Sequence, residues 1–96
     1  MKFEVKHDKT ASEFFVETAG GKASLNYRCE TNGALNFYRT FVPEALRGQG
    51  IAEQIVEAGF QYAKEKKLKV YPSCTYVLRL VVKHDEWKDL IFRSKS

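Results

Sequence analysis

The chain has 96 residues and a mass of 11.1 kDa, with 44% hydrophobic and 29% charged residues. These values describe one small globular domain over residues 1–96, too small for a second domain or a large internal pocket. Sixteen Lys and Arg against twelve Asp and Glu give a net charge of +4. This excess favours an anionic partner such as nucleic acid, a phosphate-bearing cofactor or an acidic protein.

Cysteine content and hydropathy point to a reducing compartment. Cys29 and Cys74 are too few for the disulfide framework of a small secreted domain, so both are expected to be free thiols. The segment 1–6 alternates charged and apolar residues instead of forming the apolar run of a signal peptide. Since no stretch approaches the ~20 apolar residues of a membrane span, we expect a cytoplasmic protein that does not enter the membrane.

Alternation of apolar and polar side chains predicts strands at the start of the chain. Phe3 and Val5 alternate with charged residues, and Phe14 and Val16 alternate with glutamates. The polar segment 7–12 between them is predicted to be a turn. The pattern therefore indicates two strands with one apolar face each.

Two further strands complete a predicted antiparallel sheet of four. The run 23–29 alternates after Gly20-Gly21, which is typical of a hairpin, and Asn32-Gly33 suits the next tight turn. A fourth strand then leads to Val42-Pro43. Its apolar alternation is carried by Leu35, Phe37 and Phe41.

The period changes to that of a helix after Pro43. Apolar residues recur at helical spacing from about 48 to 66, with acidic residues in the first half and lysines in the last turn, which suits the helix dipole. A short strand over 68–71 follows, and Pro72 ends it. The apolar face of the helix consists of Ala52, Ile55, Val56, Gly59 and Ala63.

The segment 73–82 is compatible with two structures. Its β-branched residues favour a strand, whereas its apolar residues fall on one helical face. We predict a helix, because Ser73 suits an N-cap and the order β-α-β-α keeps a right-handed crossover. A short last strand over 90–92 is a further expectation. The fold class is therefore α+β, or mixed α/β, with two helices against the sheet.

The segment from Phe41 to Ala52 is the most informative for function. A strand ends, a loop with Gly48 and Gly50 follows, and a helix opens, so unpaired backbone N–H groups face one spot and attract anions. Arg47 adds a positive charge beside them. The simpler alternative is that the glycines merely permit a strand-to-helix turn.

The sequence Arg47-Gly48-Gln49-Gly50-Ile51-Ala52 resembles the R/Q-x-x-G-x-G/A motif of the GNAT superfamily of acyl-CoA-dependent N-acetyltransferases. The segments 69–74 and 84–90 extend the similarity to a branch of very small GNAT-like proteins over the whole chain. The resemblance implies a GNAT-like fold, with the fifth strand splayed from the fourth, and transfer of acetyl from acetyl-CoA to an amine. In that family pattern the backbone of Phe41 and Val42 would pair with pantetheine. The pyrophosphate would be held by Leu46, Arg47, Gly48, Gln49, Gly50, Ile51 and Ala52.

Cys74 is the candidate catalytic residue, because the thioester would point towards the start of the second helix. The N–H groups there would lower the thiol pKa, so Cys74 would carry acetyl or act as acid or base. The alternative is a small packing residue. Cys29 shares the face of Leu25 and Tyr27 and is expected to be a packing residue.

Several positions depart from the family pattern. Relatives often carry histidine where this chain has Arg39, and proline where it has Thr75. The superfamily's general-acid tyrosine would fall near Leu80, which leaves Tyr76 as the candidate acid and Tyr71 as a second one; each is also simply explained as an aromatic core residue. His84 is interpreted as a partner of the helix dipole rather than a base.

Metal and nucleic-acid binding find little support. Two histidines and two widely spaced cysteines form no metal-ligand spacing, so no metal is expected. The lysines between 64 and 69 suggest a solvated face, or contact with the adenosine end of the cofactor, rather than a nucleic-acid site.

The short segment 7–12 stands where larger relatives build acceptor-binding helices. The acceptor side should therefore be open, and the amine should belong to a protein or peptide, or a homodimer should complete the site. An acyl-CoA-binding module without efficient catalysis and a basic interaction module are the alternative functions.

Overall fold

A computed structural model describes residues 3–91. Its centre is a five-stranded sheet in the order β1-β2-β3-β4-β5. The first four strands pair antiparallel with their neighbours, and β5 pairs parallel with β4, which confirms the expected class of a mixed α+β fold. The strands are β1 Lys6–Asp8, β2 Glu13–Thr18, β3 Gly21–Cys29, β4 Leu35–Phe41 and β5 Val70–Tyr71.

Three α-helices accompany the sheet in the described residues. They are α1 Ile51–Glu65, α2 Thr75–Lys83 and α3 Asp85–Lys88, and a short 3₁₀ helix, Glu44–Leu46, precedes α1. Within this part of the chain, no helix is both long and apolar enough to cross a membrane.

The helices cover one face of the sheet. Gly59 of α1 lets the helix approach β4, because a Cβ there would lie 2.9 Å from Cζ of Phe37. Phe60 of α1 packs edge-on against Phe37 and stacks on Trp87 of α3, with ring centroids 5.4 and 4.7 Å apart. Val77 of α2 is fully buried in the same cluster. This arrangement leaves the opposite face of the sheet without a helical layer in the described chain.

A β-bulge interrupts the pairing of β3 with β4. Asn26 pairs with Arg39 and the next residue, Tyr27, pairs with Phe37, so Tyr38 is the extra residue of β4. The bulge reverses the expected alternation. Thr40, opposite buried Leu25, faces the helices, whereas Phe41 is 43% exposed. The prediction that Phe41 continues the core face is therefore wrong.

The predicted position of the first strand is also wrong. β1 begins at Lys6, the last residue of the predicted strand, and its other two residues lie in the segment 7–12 predicted as a turn, where His7 pairs with Phe14. Phe3 and Val5 do pack against the core, as their alternation indicates. However, the Phe3 N–H donates to Oε1 of Gln54 in α1 at 2.8 Å instead of joining the sheet.

The first helix is shorter than predicted. It begins at Ile51 rather than near residue 48, because Gly48 and Gly50 have φ angles of 82° and 74°, which a right-handed helix does not allow. It ends at Glu65, and Lys66 is its C-cap.

The predicted helix after the short strand is confirmed as α2, but its N-cap residue differs from the predicted one. Cys74, not Ser73, is the N-cap residue of α2. The short helix α3 is not predicted from the sequence, because a helix of four residues is too short to show a periodic pattern. In place of the expected strand over 90–92, Ile91 forms an isolated parallel bridge with Val70, and residue 92 lies outside the described residues.

Cys29 is exposed, contrary to its expected packing role. The pairing of β2 with β3 stops at Asn26, so no strand residue covers Cys29 from that side. The alternation of apolar residues places Cys29 on the correct face of β3, but it does not reveal that the neighbouring strand β2 ends before reaching it.

Candidate active site

A groove of about 380 Å³ lies between the end of β4, the loop after it and the first turns of α1 and α2. It brings together every candidate cofactor-binding residue except Gln49, and it adds the candidate acid Tyr76 and one residue not predicted, Thr40. The lining residues are Thr40, Phe41, Val42, Leu46, Arg47, Gly48, Gly50, Ile51, Ala52 and Tyr76.

The loop at one end of the groove presents backbone N–H groups. The helical hydrogen bonds of α1 start with the Gln54 N–H, which donates to the Gly50 carbonyl at 3.2 Å. The N–H groups that precede Gln54 therefore have no partner within the helix, and the positive end of the helix dipole adds to their attraction for anions. A Cβ on Gly48 or Gly50 would meet no atom within 4 Å. Their positive φ angles, rather than crowding, thus require glycine.

Two side chains of the loop bind to the segment between β4 and α1. Arg47 donates from Nε to the Val42 carbonyl at 3.1 Å. Gln49 donates from Nε2 to the Ala45 carbonyl at 3.4 Å. Gln49 therefore shapes the loop from outside the groove, which explains why it does not line it. Arg47 lines the groove and is hydrogen-bonded to Val42, which also lines it, so its positive charge is held at the groove.

The divergence of β4 and β5 opens the groove. Their pairing covers Leu35 with Val70 and Asn36 with Tyr71. The chain then meets β4 once more, where the Cys74 N–H donates to the Phe37 carbonyl at 3.0 Å. Beyond Phe37, β5 no longer pairs with this edge of β4, and the edge borders the groove instead.

Cys74 does not line the groove itself, but it contacts Thr40, which does. Its Sγ is 3.4 Å from Oγ1 of Thr40, and the residue is half-buried. Burial raises the pKa of the Cys74 thiol. The Thr40 hydroxyl and the backbone N–H groups of Val77 and Tyr76 together lower the pKa by more than burial raises it, so it lies below its usual value. The Cys74 side chain makes no capping hydrogen bond to α2, but the N–H groups of Tyr76 and Val77 lie close enough to its Sγ to favour the thiolate. Such a setting favours a reactive thiolate.

Tyr76 lines the groove from the first turn of α2. Burial and the carboxylate of Glu53 raise the pKa of its phenol, and Arg79 opposes them. The phenol is protonated at neutral pH, as a proton donor must be, although the raised pKa makes it a weaker acid than an ordinary tyrosine. Because Glu53 is in the first turn of α1, it places a carboxylate beside Tyr76.

The remaining candidates lie outside the groove. Arg39 is exposed and lies over the Phe41 ring, with Cζ 5.8 Å from its centroid. His84 is the C-cap of α2, as its dipole role predicts, and its Nε2 is 3.3 Å from Oε2 of Glu53. Tyr71 accepts a hydrogen bond from Asn32 on the helix-free face of the sheet. Among the described residues, no group of His, Cys, Asp and Glu has the arrangement of a metal site.

Sequence reasoning missed Thr40 and Glu53. Thr40 reaches the groove because the bulge changes the alternation of β4, and no local signal in the sequence marks the bulge. Glu53 could have been found, because an acidic residue in the first turn of a helix must lie near whatever that helix end faces.

A glycine loop that opens a helix is typical of anion-binding sites, and comparison with known proteins gives the class to which this one belongs. The model of the GCN5-related N-acetyltransferase family matches residues 12–90. The chain therefore belongs to the GCN5-related N-acetyltransferase family and has the fold of an acetyltransferase.

Individual relatives agree with this assignment. The chain is 32% identical to Protein NATD1 of Danio rerio over 82 residues, which cover 83% of this chain and 74% of that protein. It is also 32% identical to Protein NATD1 of Homo sapiens over 79 residues, covering 80% and 70%. The solution structure of a GCN5-like candidate N-acetyltransferase from Staphylococcus aureus superimposes with a TM-score of 0.75 at 25% identity, covering 97% of this chain and 91% of that one.

Proposed function

We propose that the protein transfers acetyl from acetyl-CoA to an amine, using the groove between β4 and α1 as the acetyl-CoA site. The observation that carries the proposal is the loop at Gly48 and Gly50, where left-handed glycines present unpaired N–H groups to an open space beside Arg47. A pyrophosphate needs such donors and such room.

The groove suits the parts of acetyl-CoA in order along its length. Residues 46–52 would hold the pyrophosphate at the positive end of α1. The β4 edge at Phe41 and Val42 would pair with the amides of pantetheine, as the strand edge there is not covered by β5. The thioester would then lie towards Thr40, Cys74 and the first turn of α2.

Acetyl transfer requires two proton movements, and the site offers a candidate group for each. The amine nitrogen forms a bond to the thioester carbonyl carbon, the C–S bond breaks, the nitrogen loses one proton and the leaving sulfur gains one. The thiolate of Cys74 would accept the proton of the amine. In the covalent alternative it would attack the thioester carbon and take the acetyl group as the C–S bond to CoA breaks, then pass the acetyl to the amine, whose proton goes to solvent. The phenol of Tyr76 would donate a proton to the leaving sulfur.

Replacing Tyr76 tests the assigned donor. Tyr76→Phe is expected to lower kcat by about 10²-fold, because a positioned acid contributes on this order, while the KM for acetyl-CoA stays within twofold. Steady-state kinetics at saturating amine would measure both constants. An unchanged kcat would remove Tyr76 from the reaction and leave it as a groove-lining aromatic residue.

Replacing Gly50 tests the cofactor site. Gly50→Glu places a carboxylate where the pyrophosphate would bind, and we expect acetyl-CoA affinity to fall by at least about tenfold in calorimetry. Gly33→Glu is the matched control: Gly33 also has a positive φ, 88°, and open space around its Cα, but it lies in the turn before β4. Equal affinities in the parent and the Gly50 variant would contradict the acetyl-CoA site.

Mass spectrometry after incubation with acetyl-CoA separates the remaining alternatives. Acetyl on Cys74 indicates a covalent carrier, and acetyl on an added peptide amine alone indicates direct transfer. Binding without acetylation of any amine would instead favour an acyl-CoA-binding module, and absence of binding would favour a basic interaction module.

Both cysteines are free in the structure, so we propose that the protein works in a reducing compartment such as the cytoplasm.

A further inference from the structure

A second, polar pocket of about 300 Å³ lies on the helix-free face of the sheet, at the point where β4 and β5 begin to diverge. Leu35 and Val70 face the core there, so their neighbours Asn36 and Tyr71 project to the opposite face. The pocket is lined by Glu30, Thr31, Asn32, Asn36, Tyr71 and Ser73.

The pocket is acidic in a protein with a net charge of +4. Within the described part of the chain, Glu30 is the one charged residue that lines it, and the other lining side chains are hydroxyl or amide groups. The Glu30 carboxylate accepts a hydrogen bond from Nδ2 of Asn36 at 2.9 Å and has capacity for further donors. A negative, acceptor-rich pocket of this kind selects a cation with several N–H groups.

Asn36 supplies a second reason to expect a donor here. Its Oδ1 is buried and has no hydrogen-bond partner. Because an unpaired buried carbonyl costs free energy, a native structure usually keeps one for a reason, such as a ligand that completes the network.

The surrounding backbone holds these groups in place. The Glu30 N–H donates to the Ala34 carbonyl at 2.8 Å, and the Gly33 N–H returns to the Glu30 carbonyl at 2.9 Å. Asn32 links the turn to β5 by donating from Nδ2 to the Tyr71 hydroxyl at 2.8 Å. The pocket is therefore formed before any ligand binds, which lowers the cost of binding.

Cys74 lines neither the pocket nor the groove, but residues next to it line both. Ser73, which lines the pocket, is the residue before Cys74. Asn36, which also lines it, precedes Phe37, whose carbonyl accepts the Cys74 N–H. On the other side, Cys74 contacts Thr40 of the groove. Cys74 thus lies between a cavity suited to an anionic cofactor and a cavity suited to a cation.

We propose that this pocket, centred on Glu30, binds the ammonium group of the acetyl acceptor before it loses a proton. The inference rests on the proposed acetyltransferase function and adds a binding site and a charge preference for the acceptor: a primary ammonium on an extended stem, as in a lysine side chain. Its open position on the sheet face suits an ammonium carried by a peptide or protein.

An NMR titration with n-butylammonium chloride tests the pocket directly. ¹⁵N-labelled protein, with and without CoA, is expected to show saturable shifts at the Glu30 N–H and the side-chain amides of Asn32 and Asn36. The same concentrations of n-butanol, which has the stem without the charge, should give no saturable change. Shifts confined to another surface, or an equal response to n-butanol, would overturn the inference.

Matched variants complete the test. Glu30→Gln is expected to weaken n-butylammonium binding by at least about tenfold, because hydrogen bonds to a charged group are lost. Glu57→Gln, which removes the same charge from the exposed face of α1, should leave it unchanged. If Glu30→Gln fails to fold, Tyr71→Phe provides a second variant, with an expected loss of at least about threefold. Unchanged affinity in the folded variant contradicts the pocket.

The test separates this inference from the proposed function. Acetyl-CoA binding without n-butylammonium binding at the pocket would overturn the inference alone. Binding of n-butylammonium without acetyl-CoA binding would overturn the proposed function, and with it the role of the pocket as an acceptor site.

Discussion

At the scale of single residues, the environment of Cys74 follows from two different kinds of information. Its place at a helix start is readable in the sequence, since Pro72 ends one element and a helical period follows. Its contact with Thr40 is not readable, because Thr40 is 34 residues away and turns inward only through the bulge. The helix start indicates a thiol with a lowered pKa, and the fold adds the hydroxyl that strengthens the effect.

The role of Thr40 can be measured through the reactivity of Cys74. Thr40→Val removes the hydroxyl with little change in shape, so the pKa of the Cys74 thiol should rise and its alkylation should require higher pH. Iodoacetamide labelling over a pH series, followed for the Cys74 peptide by mass spectrometry, gives the midpoint. The Cys29 peptide is the internal control. The same midpoint in parent and variant would show that Thr40 does not stabilise the thiolate.

At the scale of elements, local patterns predicted which segments form strands and helices better than where they begin and end. The glycine loop shortened α1, and the bulge changed which residues of β4 face the core. Both effects come from backbone conformations that interrupt a period. A period of apolar residues reports which face is buried within a regular element, but it carries no information about an inserted residue such as Tyr38.

The packing of α1 on the sheet depends on Gly59. A methyl group there would approach Phe37 at 2.9 Å and Cδ2 of Leu25 at 3.1 Å, and both side chains are fully buried. Overpacking of this kind costs about 1–3 kcal/mol, more than the ~1 kcal/mol that alanine contributes to helix formation. Gly59→Ala should therefore lower the free energy of unfolding in urea, whereas Gln61→Ala, on the exposed side of α1, should change it little. Equal or greater stability of the Gly59 variant would show that the core has room to adjust.

At the scale of the whole molecule, the sequence predicted the fold class, the loop that opens α1 and most of the groove lining. These features are local in the chain: a strand, a glycine loop and a helix are consecutive. The polar pocket could not be predicted, because it joins the turn before β4 with the end of β5 across the sheet. Its existence depends on the helices covering one face alone, which becomes visible only in three dimensions.

The stability of the molecule should depend on pH through His7, which ties the edge strand β1 to the core. His7 stacks on Phe14 at 4.0 Å between ring centroids and hydrogen-bonds through Nε2 with the Tyr27 hydroxyl. Burial raises the pKa of Tyr27 to about 12, so the phenol stays protonated, and its O–H donates a hydrogen bond when Nε2 of the neutral imidazole carries no proton. Burial, and then Lys9, lower the pKa of His7, while Asp8 opposes them.

A lowered pKa means that the folded protein binds a proton at His7 less readily than the unfolded chain, whose value is near 6.5. The contribution of His7 to the free energy of unfolding is therefore fully present above about pH 6.5 and is lost progressively below it. The loss per pH unit corresponds to less than one proton, the difference in protons bound at His7 by the unfolded and folded chains. Urea unfolding at pH 8 and pH 5 would measure this loss. His7→Phe keeps the stacking but cannot titrate, so it should be less stable than the parent at pH 8, because the buried Tyr27 hydroxyl loses its partner, and should lose less between pH 8 and pH 5. An equal loss in the parent and the His7 variant would assign the pH dependence to other groups.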